Sequence, residues 1–280
     1  MAAPRAPLVV TTSDRADPAL AARARTAAEE IGVPYVARHH KLPLRKILDE
    51  LADVAFVFEA GAVVVADARG SLRFTPGLAH LRAKQLDAGV EEDMLLRVGG
   101  LEEGDAVLDC TLGLAGDAQV AARLVGARGS VVGLEKSPAV YLLARYGLES
   151  LARHPRACRI DVLHADAADY LRTAPGAAFD FVLLDPMFAR ARRSSFAFQD
   201  LRRFADYSPL TREMISDARR VARKAVLVKG SRYSSDLRKL GIEPMPARPN
   251  ATVLWARLPG AQAAAQPVCA NRPRALRRDR

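Results

Sequence analysis

Short apolar runs alternate with amphipathic stretches along this chain, a pattern that indicates strands followed by helices. From residue 105 onward the alternation is regular. The predicted strands are Ala106–Cys110, Ser130–Glu135, Ile160–His164, Phe179–Asp185 and Ala225–Lys229. The predicted helices between them are Asp117–Val125, Ser137–Ala152, Ala167–Arg172 and Pro209–Arg223. Strands that alternate with helices in this way predict a parallel, doubly wound sheet.

Two further apolar runs, Ile242–Ala247 and Thr252–Leu258, close the pattern. Too few residues separate them for a crossover helix, so we predict that they form an antiparallel hairpin. The expected fold is therefore α/β, with a doubly wound, mostly parallel, Rossmann-like sheet that ends in an antiparallel hairpin.

The first part of the chain has its own, shorter alternation. Its predicted strands are Leu8–Thr12, Val33–Val36, Val54–Phe58, Ala62–Ala66 and Leu72–Phe74, and its predicted helices are Asp17–Ile31 and Leu44–Leu51. We therefore expect a small N-terminal α/β domain over residues 1–75. Helices at Gly77–Asp87 and Glu91–Val98 then lead into a larger domain over residues 76–260. Residues 261–280 are rich in Ala, Pro and Arg and are predicted to be a disordered basic tail.

Composition narrows the possible partners. The 280 residues include 42 Lys and Arg against 32 Asp and Glu, a net charge of +10 that favours a polyanion such as RNA. An Arg-rich composition without functional meaning is the alternative. No apolar run approaches the roughly 20 residues of a membrane span, and the N-terminus is too weakly apolar for a secretory signal, so the expected compartment is the cytoplasm.

Neither cysteines nor histidines suggest a metal. Three cysteines lack C-x-x-C spacing, and the adjacent His39 and His40 have no third ligand nearby in the sequence. We expect no metal site, and we expect the basic run from Arg38 to Lys41 to be a solvated or anion-facing loop.

The candidate chemistry lies where strands end. Val107–Ala118 reads as a strand, a turn with Gly113 and Gly116, and a helix start, where an adenosine-type cofactor can lie against bare backbone. Four carboxylates follow the carboxyl ends of successive strands, which is where α/β sheets bind ligands: Asp109, Glu135, Asp166 and Asp185. Each alone is equally well explained as a helix cap or turn residue, but four together predict a cofactor site.

This layout resembles class I S-adenosylmethionine (SAM)-dependent methyltransferases. The resemblance places Asp109 and Gly113 beside the methionine part of SAM, Glu135 at the ribose hydroxyls and Asp166 at the adenine amine. It places Asp185 beside the sulfonium methyl. The set of predicted cofactor-binding residues is completed by their neighbours Thr111, Gly116, Asp117, Lys136 and Ala167.

The run Asp185-Pro186-Met187-Phe188 resembles the [D/N]-P-P-[Y/F] motif of methyltransferases that act on exocyclic or amide nitrogens. The Asp185 carboxylate and the Pro186 carbonyl would accept hydrogen bonds from an NH2 group, and Phe188 would stack on the ring that carries it. Asp185, Pro186 and Phe188 are therefore the predicted catalytic residues. The alternative is a buried turn with Phe188 in the core.

Four runs together, V-L-D-C-T-L-G-L-A-G-D-A, H-A-D-A, L-L-D-P-M-F and V-L-V-K, resemble the bacterial small-subunit rRNA guanine-N2 methyltransferase family (J type) and its uncharacterised relatives. The similarity covers about residues 75–258 and includes F-T-P-G-L-A-H-L-R at Phe74–Arg82. It implies SAM as cofactor and a guanine amine in rRNA as target. Those relatives read G-L-G in the first turn, whereas this chain has Ala115 before Gly116, so weaker cofactor binding or a shifted turn is expected.

Basic and aromatic residues follow the D-P-M-F run: Arg190, Arg192, Arg193, Phe196, Phe198, Arg202 and Arg203. They form either a loop that contacts RNA or a solvated helical face over two buried rings. Lys229 either reaches a phosphate or caps the sheet edge. The sequence predicts direct in-line methyl transfer to RNA, with rRNA or the small ribosomal subunit as partner.

Three alternatives remain open at this point. The first is a methyltransferase for DNA adenine, protein or a small molecule. The second is a non-catalytic RNA-binding or ribosome-assembly factor on the same scaffold. The third is a nicotinamide dehydrogenase that uses Glu135, which the incomplete G-x-G-x-x-G disfavours.

Overall fold

The computed structural model describes residues 5–152, 154–186, 200–233, 235–246 and 251–262. These residues form two sheets with helices packed against them. The strands are β1 (Ala6–Thr12), β2 (Ala52–Glu59), β3 (Ala62–Asp67), β4 (Gly70–Arg73), β5 (Ala106–Asp109), β6 (Ser130–Glu135), β7 (Ile160–His164), β8 (Phe179–Leu184), β9 (Ala222–Ser231) and β10 (Val253–Pro259). The helices are α1 (Pro18–Glu30), α2 (Leu44–Glu50), α3 (Gly77–Asp87), α4 (Gly116–Val125), α5 (Pro138–Glu149), α6 (Ala167–Thr173), α7 (Arg212–Val221) and α8 (Asp236–Lys239).

The larger sheet has the strand order β10-β9-β8-β5-β6-β7. Strands β5 to β9 run parallel, and β10 runs antiparallel to β9. The strand order reverses between β5 and β8, which is where doubly wound sheets bind ligands. The predicted α/β fold, with its mostly parallel sheet and antiparallel last strand, is confirmed.

The smaller sheet has the order β1-β2-β3-β4, with β1 parallel to β2 and the other pairs antiparallel. The apolar residues on one face of this sheet join those of α5 in the main core cluster, whereas those on the other face form a separate cluster with α2. The Phe58 ring of β2 lies 4.9 Å from the Tyr146 ring of α5, edge to face. Residues before and after the predicted boundary at residue 75 therefore share one apolar core.

Two predicted strands are wrong, and prolines explain both. Val33–Val36 makes only a single bridge at Tyr35, to Val10 of β1, because Pro34 has no N–H to donate to a ladder. Residues 242–246 form no strand, since Pro244 and Pro246 interrupt them. The strand that pairs with β10 is β9 rather than the predicted run at residues 242–246. Within the described part of that run, one backbone hydrogen bond to β10 is formed, from Met245 N to Trp255 O at 2.7 Å.

The predicted helix Glu91–Val98 is also wrong, because only a short π-helical turn, Leu95–Gly99, forms there. The Asp93 carboxylate accepts from Leu95 N at 2.9 Å and so caps the turn, and Gly100 ends it in a left-handed conformation with φ of 68°. Two of the predicted helices begin with a capping side chain at the predicted first residue: Asp17 accepts from Leu20 N at 2.7 Å, and Ser137 caps α5 ahead of Pro138. No helix in the described ranges is long and apolar enough to cross a bilayer.

Candidate functional site

Three of the predicted carboxylates meet at the carboxyl edge of the larger sheet. Asp109 ends β5 and Glu135 ends β6, while Asp185 directly follows β8. Because β5 lies between β6 and β8, the topology brings the carboxyl ends of these three strands side by side. Residues far apart in the sequence therefore share one site.

Asp109 is the most deeply buried carboxylate of this group, with 3% of its surface exposed. Its Oδ1 accepts a hydrogen bond from Thr111 N at 3.0 Å. Burial, reinforced by the negative charge of Asp117, raises the pKa of Asp109 to about 7 despite the Thr111 bond. Among the described residues, no Lys or Arg forms an ion pair with Asp109. The site thus holds a carboxyl group that lacks a cation of its own.

The turn after β5 adopts two left-handed conformations, at Gly113 with φ of 52° and at Ala115 with φ of 59°. Glycine adopts this conformation without strain, whereas alanine does so at a cost of roughly 1–2 kcal/mol. Ala115 is completely buried and belongs to the main apolar cluster, so its methyl group packs into the core. At Gly116, the first residue of α4, an added Cβ would meet nothing within 4 Å. Open space therefore lies beside the N-terminus of this helix.

Glu135 connects the turn after β5 to the start of α5. Its Oε2 accepts from Gly113 N at 3.0 Å, and its Oε1 accepts from Ser137 N at 2.8 Å. Burial raises the pKa of this carboxyl group, although both backbone bonds oppose the shift. The Ser137 hydroxyl donates to Phe204 O at 2.5 Å. Glu135 and Ser137 thereby hold the turn after β5, the start of α5 and the segment at residue 204 together.

Lys136 and Asp166 form an exposed pair beside Glu135. Lys136 Nζ lies 3.1 Å from Asp166 Oδ2 and 3.6 Å from Asp206 Oδ1, and it donates to Ser208 Oγ at 2.8 Å. Asp166 also caps α6, accepting from Ala168 N at 2.8 Å, and these bonds outweigh its partial burial and lower its pKa. Asp166 thus has the helix-cap role that the sequence left as one alternative, while its position beside Lys136 keeps it near the site.

A chain of alternating charges runs through the other side of the site. Lys229 lies near the end of β9, and its Nζ is 2.9 Å from Asp185 Oδ2 and also forms an ion pair with Asp117 of α4. Asp117 Oδ1 is in turn 2.7 Å from an Arg82 nitrogen, and Arg82 forms a second ion pair with Asp93. Residues from five separate segments are therefore fixed by one ionic network.

Charge and burial act in opposite directions on this network. Burial alone raises the pKa of Asp117, but Lys229 and Arg82 outweigh it and hold that pKa below its usual value. The two carboxylates raise the pKa of Lys229 although burial opposes them, so Lys229 stays charged. Burial and the charge of Asp117 raise the pKa of Asp185 against the influence of Lys229. Removing Lys229 would therefore raise the pKa of Asp185 further.

The backbone at Asp185 is fixed as well, since its N–H donates to Thr111 Oγ1 at 2.7 Å. Its side chain is half-buried, with 39% of its surface exposed. Phe188, the Arg190–Phe198 group and most of the basic tail lie outside the described residues. Arg203 pairs with Asp67 of β3 at 3.2 Å, so this arginine faces the smaller sheet.

Sequence reasoning did not find the network. It assigned no role to the Arg82 charge and gave Lys229 a phosphate or an edge-capping role, whereas both are paired with Asp117. One signal was present: Lys229 directly follows the buried run Val226–Val228, and a lysine there must find a carboxylate partner or reach solvent.

Comparison with known proteins agrees with this geometry. The family model described as "Putative SAM-dependent methyltransferase" matches residues 66–244. The protein YpiP of Bacillus subtilis is 34% identical over 244 residues, which cover 85% of this chain and 94% of YpiP. The ribosomal RNA small subunit methyltransferase J of Pseudomonas aeruginosa strain PAO1 is 32% identical over 214 residues, covering 72% of this chain and 74% of that protein.

A solved structure extends the similarity to the fold. The SAM-dependent methyltransferase from Neisseria gonorrhoeae superposes with a TM-score of 0.60 at 19% sequence identity. The superposition covers 91% of this chain and 97% of that one. The overall fold of this chain is therefore similar to that of a solved methyltransferase structure over nearly its whole length.

Proposed function

Because this chain belongs to the family of SAM-dependent methyltransferases, we propose that it methylates the exocyclic amine of a base in RNA, with guanine N2 of small-subunit rRNA as the target. Its cofactor is SAM. The observation that carries the proposal is the position of Asp185 and Pro186 at the carboxyl end of β8, with Asp185 bonded to Lys229 and Thr111. The similarity to methyltransferase J proteins supports rRNA as the substrate class.

The residues at the carboxyl edge fit SAM. The buried Asp109 has no cation partner among the described residues, and a ligand that carries an ammonium and a sulfonium would supply one. Open space at Gly116 leaves room beside the N-terminus of α4, and Glu135 is placed to accept from ribose hydroxyls. We therefore propose that Asp109, Gly113, Gly116 and Glu135 line the cofactor site.

The remaining predicted cofactor residues have supporting positions. Thr111 fixes both Asp109 and Asp185, and Asp117 holds Lys229. Lys136, Asp166 and Ala167 lie at the ends of β6 and β7, where the adenine half of the cofactor would reach. We keep all five in the proposed site.

Bound SAM supplies an electrophilic methyl group. The Asp185 carboxylate and the Pro186 carbonyl accept hydrogen bonds from the target NH2 and so align its lone pair for in-line attack. Lys229 engages Asp185 Oδ2, and no described residue donates to Oδ1, which leaves that oxygen for the amine. The amine loses one proton as it gains the methyl group, and the ionised carboxylate is placed to take it. Phe188 would stack on the base.

We also propose that residues 1–75 form a small domain fixed to the methyltransferase domain of residues 76–260. The shared core at Phe58 and Tyr146 supports this, as does Glu30, which accepts from Tyr146 at 3.1 Å and from Tyr141. Residues 261–280 would add a basic tail with general affinity for RNA.

The experiment is transfer of a radiolabelled methyl group from SAM to rRNA. Small-subunit rRNA from cells that lack the homologous enzyme is incubated with the chain, digested to nucleosides and separated. The expected label is in N2-methylguanosine. Parallel reactions offer DNA and protein in place of rRNA. Label in DNA adenine or in protein alone would overturn the RNA assignment, and SAM binding without transfer to any of the three would favour a non-catalytic RNA-binding scaffold.

A further inference from the structure

A cleft with a volume of about 700 Å³ opens next to the charged network, between the π-helical turn before β5 and the segment that leads into β10. Its size falls in the range typical of ligand sites, about 300–1,000 Å³. We call it the Trp255 cleft, and the lining residues that matter here are Met94, Arg97, Val98, Met245 and Trp255.

The Trp255 cleft adjoins the proposed site of methyl transfer. Trp255 of β10 is paired in register with Lys229 of β9, and the Lys229 ammonium lies 4.9 Å from the centroid of the Trp255 ring. The same ammonium is 2.9 Å from Asp185 Oδ2. Asp185 and Trp255 in the wall of the cleft therefore both contact the Lys229 ammonium. Neighbouring nucleotides of one strand can span the distance between Asp185 and the cleft.

The lining offers the groups that a nucleotide needs. Met94, Val98 and Met245 provide apolar and thioether surface that is suited to the flat face of a base, and the largely buried Trp255, which is 8% exposed, contributes the part of its ring that borders the cleft. Arg97 is exposed and has no ion-pair partner in the described part of the chain, in contrast to Arg82, which binds two carboxylates. A free guanidinium at a cleft suits a phosphate.

We propose that the Trp255 cleft binds the nucleotide that flanks the target base in the RNA substrate. The base packs against Met94, Met245 and Trp255, and Arg97 binds its phosphate. This inference rests on the proposed methylation of RNA and deepens it, because it assigns the flanking position to one surface. The target base itself goes to Asp185.

Tryptophan fluorescence tests the proposal directly, since Trp255 is the single tryptophan of the chain. The probe is a single-stranded RNA of mixed sequence, about 12 nucleotides long, within the footprint of single-strand binding sites. Arg97→Gln removes the free cation, and Met245→Glu puts a negative charge on an exposed lining residue. Arg128→Gln is the matched control: Arg128 lies in the turn between α4 and β6 at the opposite edge of the sheet, in an exposed ion pair.

We expect RNA to quench the fluorescence of the wild-type chain to saturation. Arg97→Gln weakens this binding by about tenfold and lowers the slope of log Kd against log salt by about 0.7, the value for one lost phosphate contact on a single strand. In methyl transfer both cleft variants raise KM for rRNA but leave kcat and the Kd for SAM unchanged. Arg128→Gln behaves as wild type.

Fluorescence that does not respond to RNA would overturn the proposal, and so would cleft variants that bind RNA as Arg128→Gln does. If methylguanosine still forms in that case, RNA methylation stands and only the assignment of the cleft fails. If RNA quenches the wild type and both cleft variants weaken the binding, but no methyl group enters RNA, the proposed function fails, and the cleft binds RNA without a flanking role in methylation.

Discussion

The ammonium of Lys229 lies 2.9 Å from Asp185 Oδ2 and also binds Asp117, so one buried cation joins the turn after β8 to helix α4. Through Asp117 the connection continues to Arg82 of α3. We propose that the Asp185 carboxylate aligns the target amine, and it is held in position by Lys229, Asp117 and Arg82, which do not contact the substrate in this account. Lys229 is a positioning residue in this account.

Replacing Lys229 by Met should change the pH profile of methyl transfer. Without the cation the pKa of Asp185 rises further, because burial and Asp117 both favour its protonated form. We expect the acidic limb of the pH–kcat profile to move to higher pH, with activity partly recovered at pH 9. Loss of one partner of a buried pair should also cost about 3–5 kcal/mol of unfolding free energy.

Lys224→Met serves as the control for Lys229→Met. Lys224 lies near the other end of β9 and pairs with Asp105 at 2.6 Å, so its loss affects stability without touching Asp185. Lys229→Arg keeps a positive charge at this position and should show the wild-type pH profile. An unchanged pH profile in a folded Lys229→Met protein would exclude the positioning role.

Asp109 should make the stability of the cofactor-free protein fall as pH rises. Its pKa is raised from 3.8 to about 7 on folding, so the folded state binds the proton more tightly. The stabilisation is complete below pH 3.8 and is lost as pH rises toward 7, at about 1.4 kcal/mol per pH unit for this group. Urea unfolding of wild type and Asp109→Asn, measured from pH 4 to pH 8, should show this extra slope in the wild type only. Parallel curves for the two proteins would contradict the buried, protonated carboxyl group.

Cofactor binding should release a proton near pH 7. The positive charges of SAM favour ionised Asp109, which is about half protonated at that pH before SAM binds. Calorimetry in buffers of different ionisation enthalpy measures the number of protons released. Asp109→Asn should release none, and equal proton release from both proteins would place the cofactor's charges elsewhere.

Ala115→Gly should leave the Kd for SAM essentially unchanged. The sequence suggested that the Ala115 methyl group would obstruct the cofactor, but that methyl group is buried in the main apolar cluster. Relief of the left-handed strain at φ of 59° and loss of buried methyl packing nearly cancel, so we expect a stability change below about 1 kcal/mol. Ala115→Val should be clearly destabilising, because a β-branched residue fits this conformation poorly. A Gly variant that binds SAM much more tightly would show that Ala115 does restrict the site.

The sequence predicted the features that follow from local rules. The helix starts at Asp17 and Ser137, the alternation that gives the parallel sheet and the carboxylates at the strand ends all depend on short-range pattern. The pairing of Lys229 with Asp117 and Asp185 does not, because its partners lie 112 and 44 residues away in the sequence. The Trp255 cleft likewise depends on how β10 packs against the turn before β5.

The most direct test of the central claim is methyl transfer to small-subunit rRNA by Asp185→Ala, with SAM binding measured by calorimetry on the same preparation. Lys229 remains paired with Asp117 in this variant, so its charge stays compensated. We predict that SAM binds with nearly wild-type affinity while kcat falls by about 100-fold or more, the scale expected for loss of a group that aligns the reacting atoms. Wild-type turnover by Asp185→Ala would contradict the account, because methyl transfer would then not depend on the turn after β8.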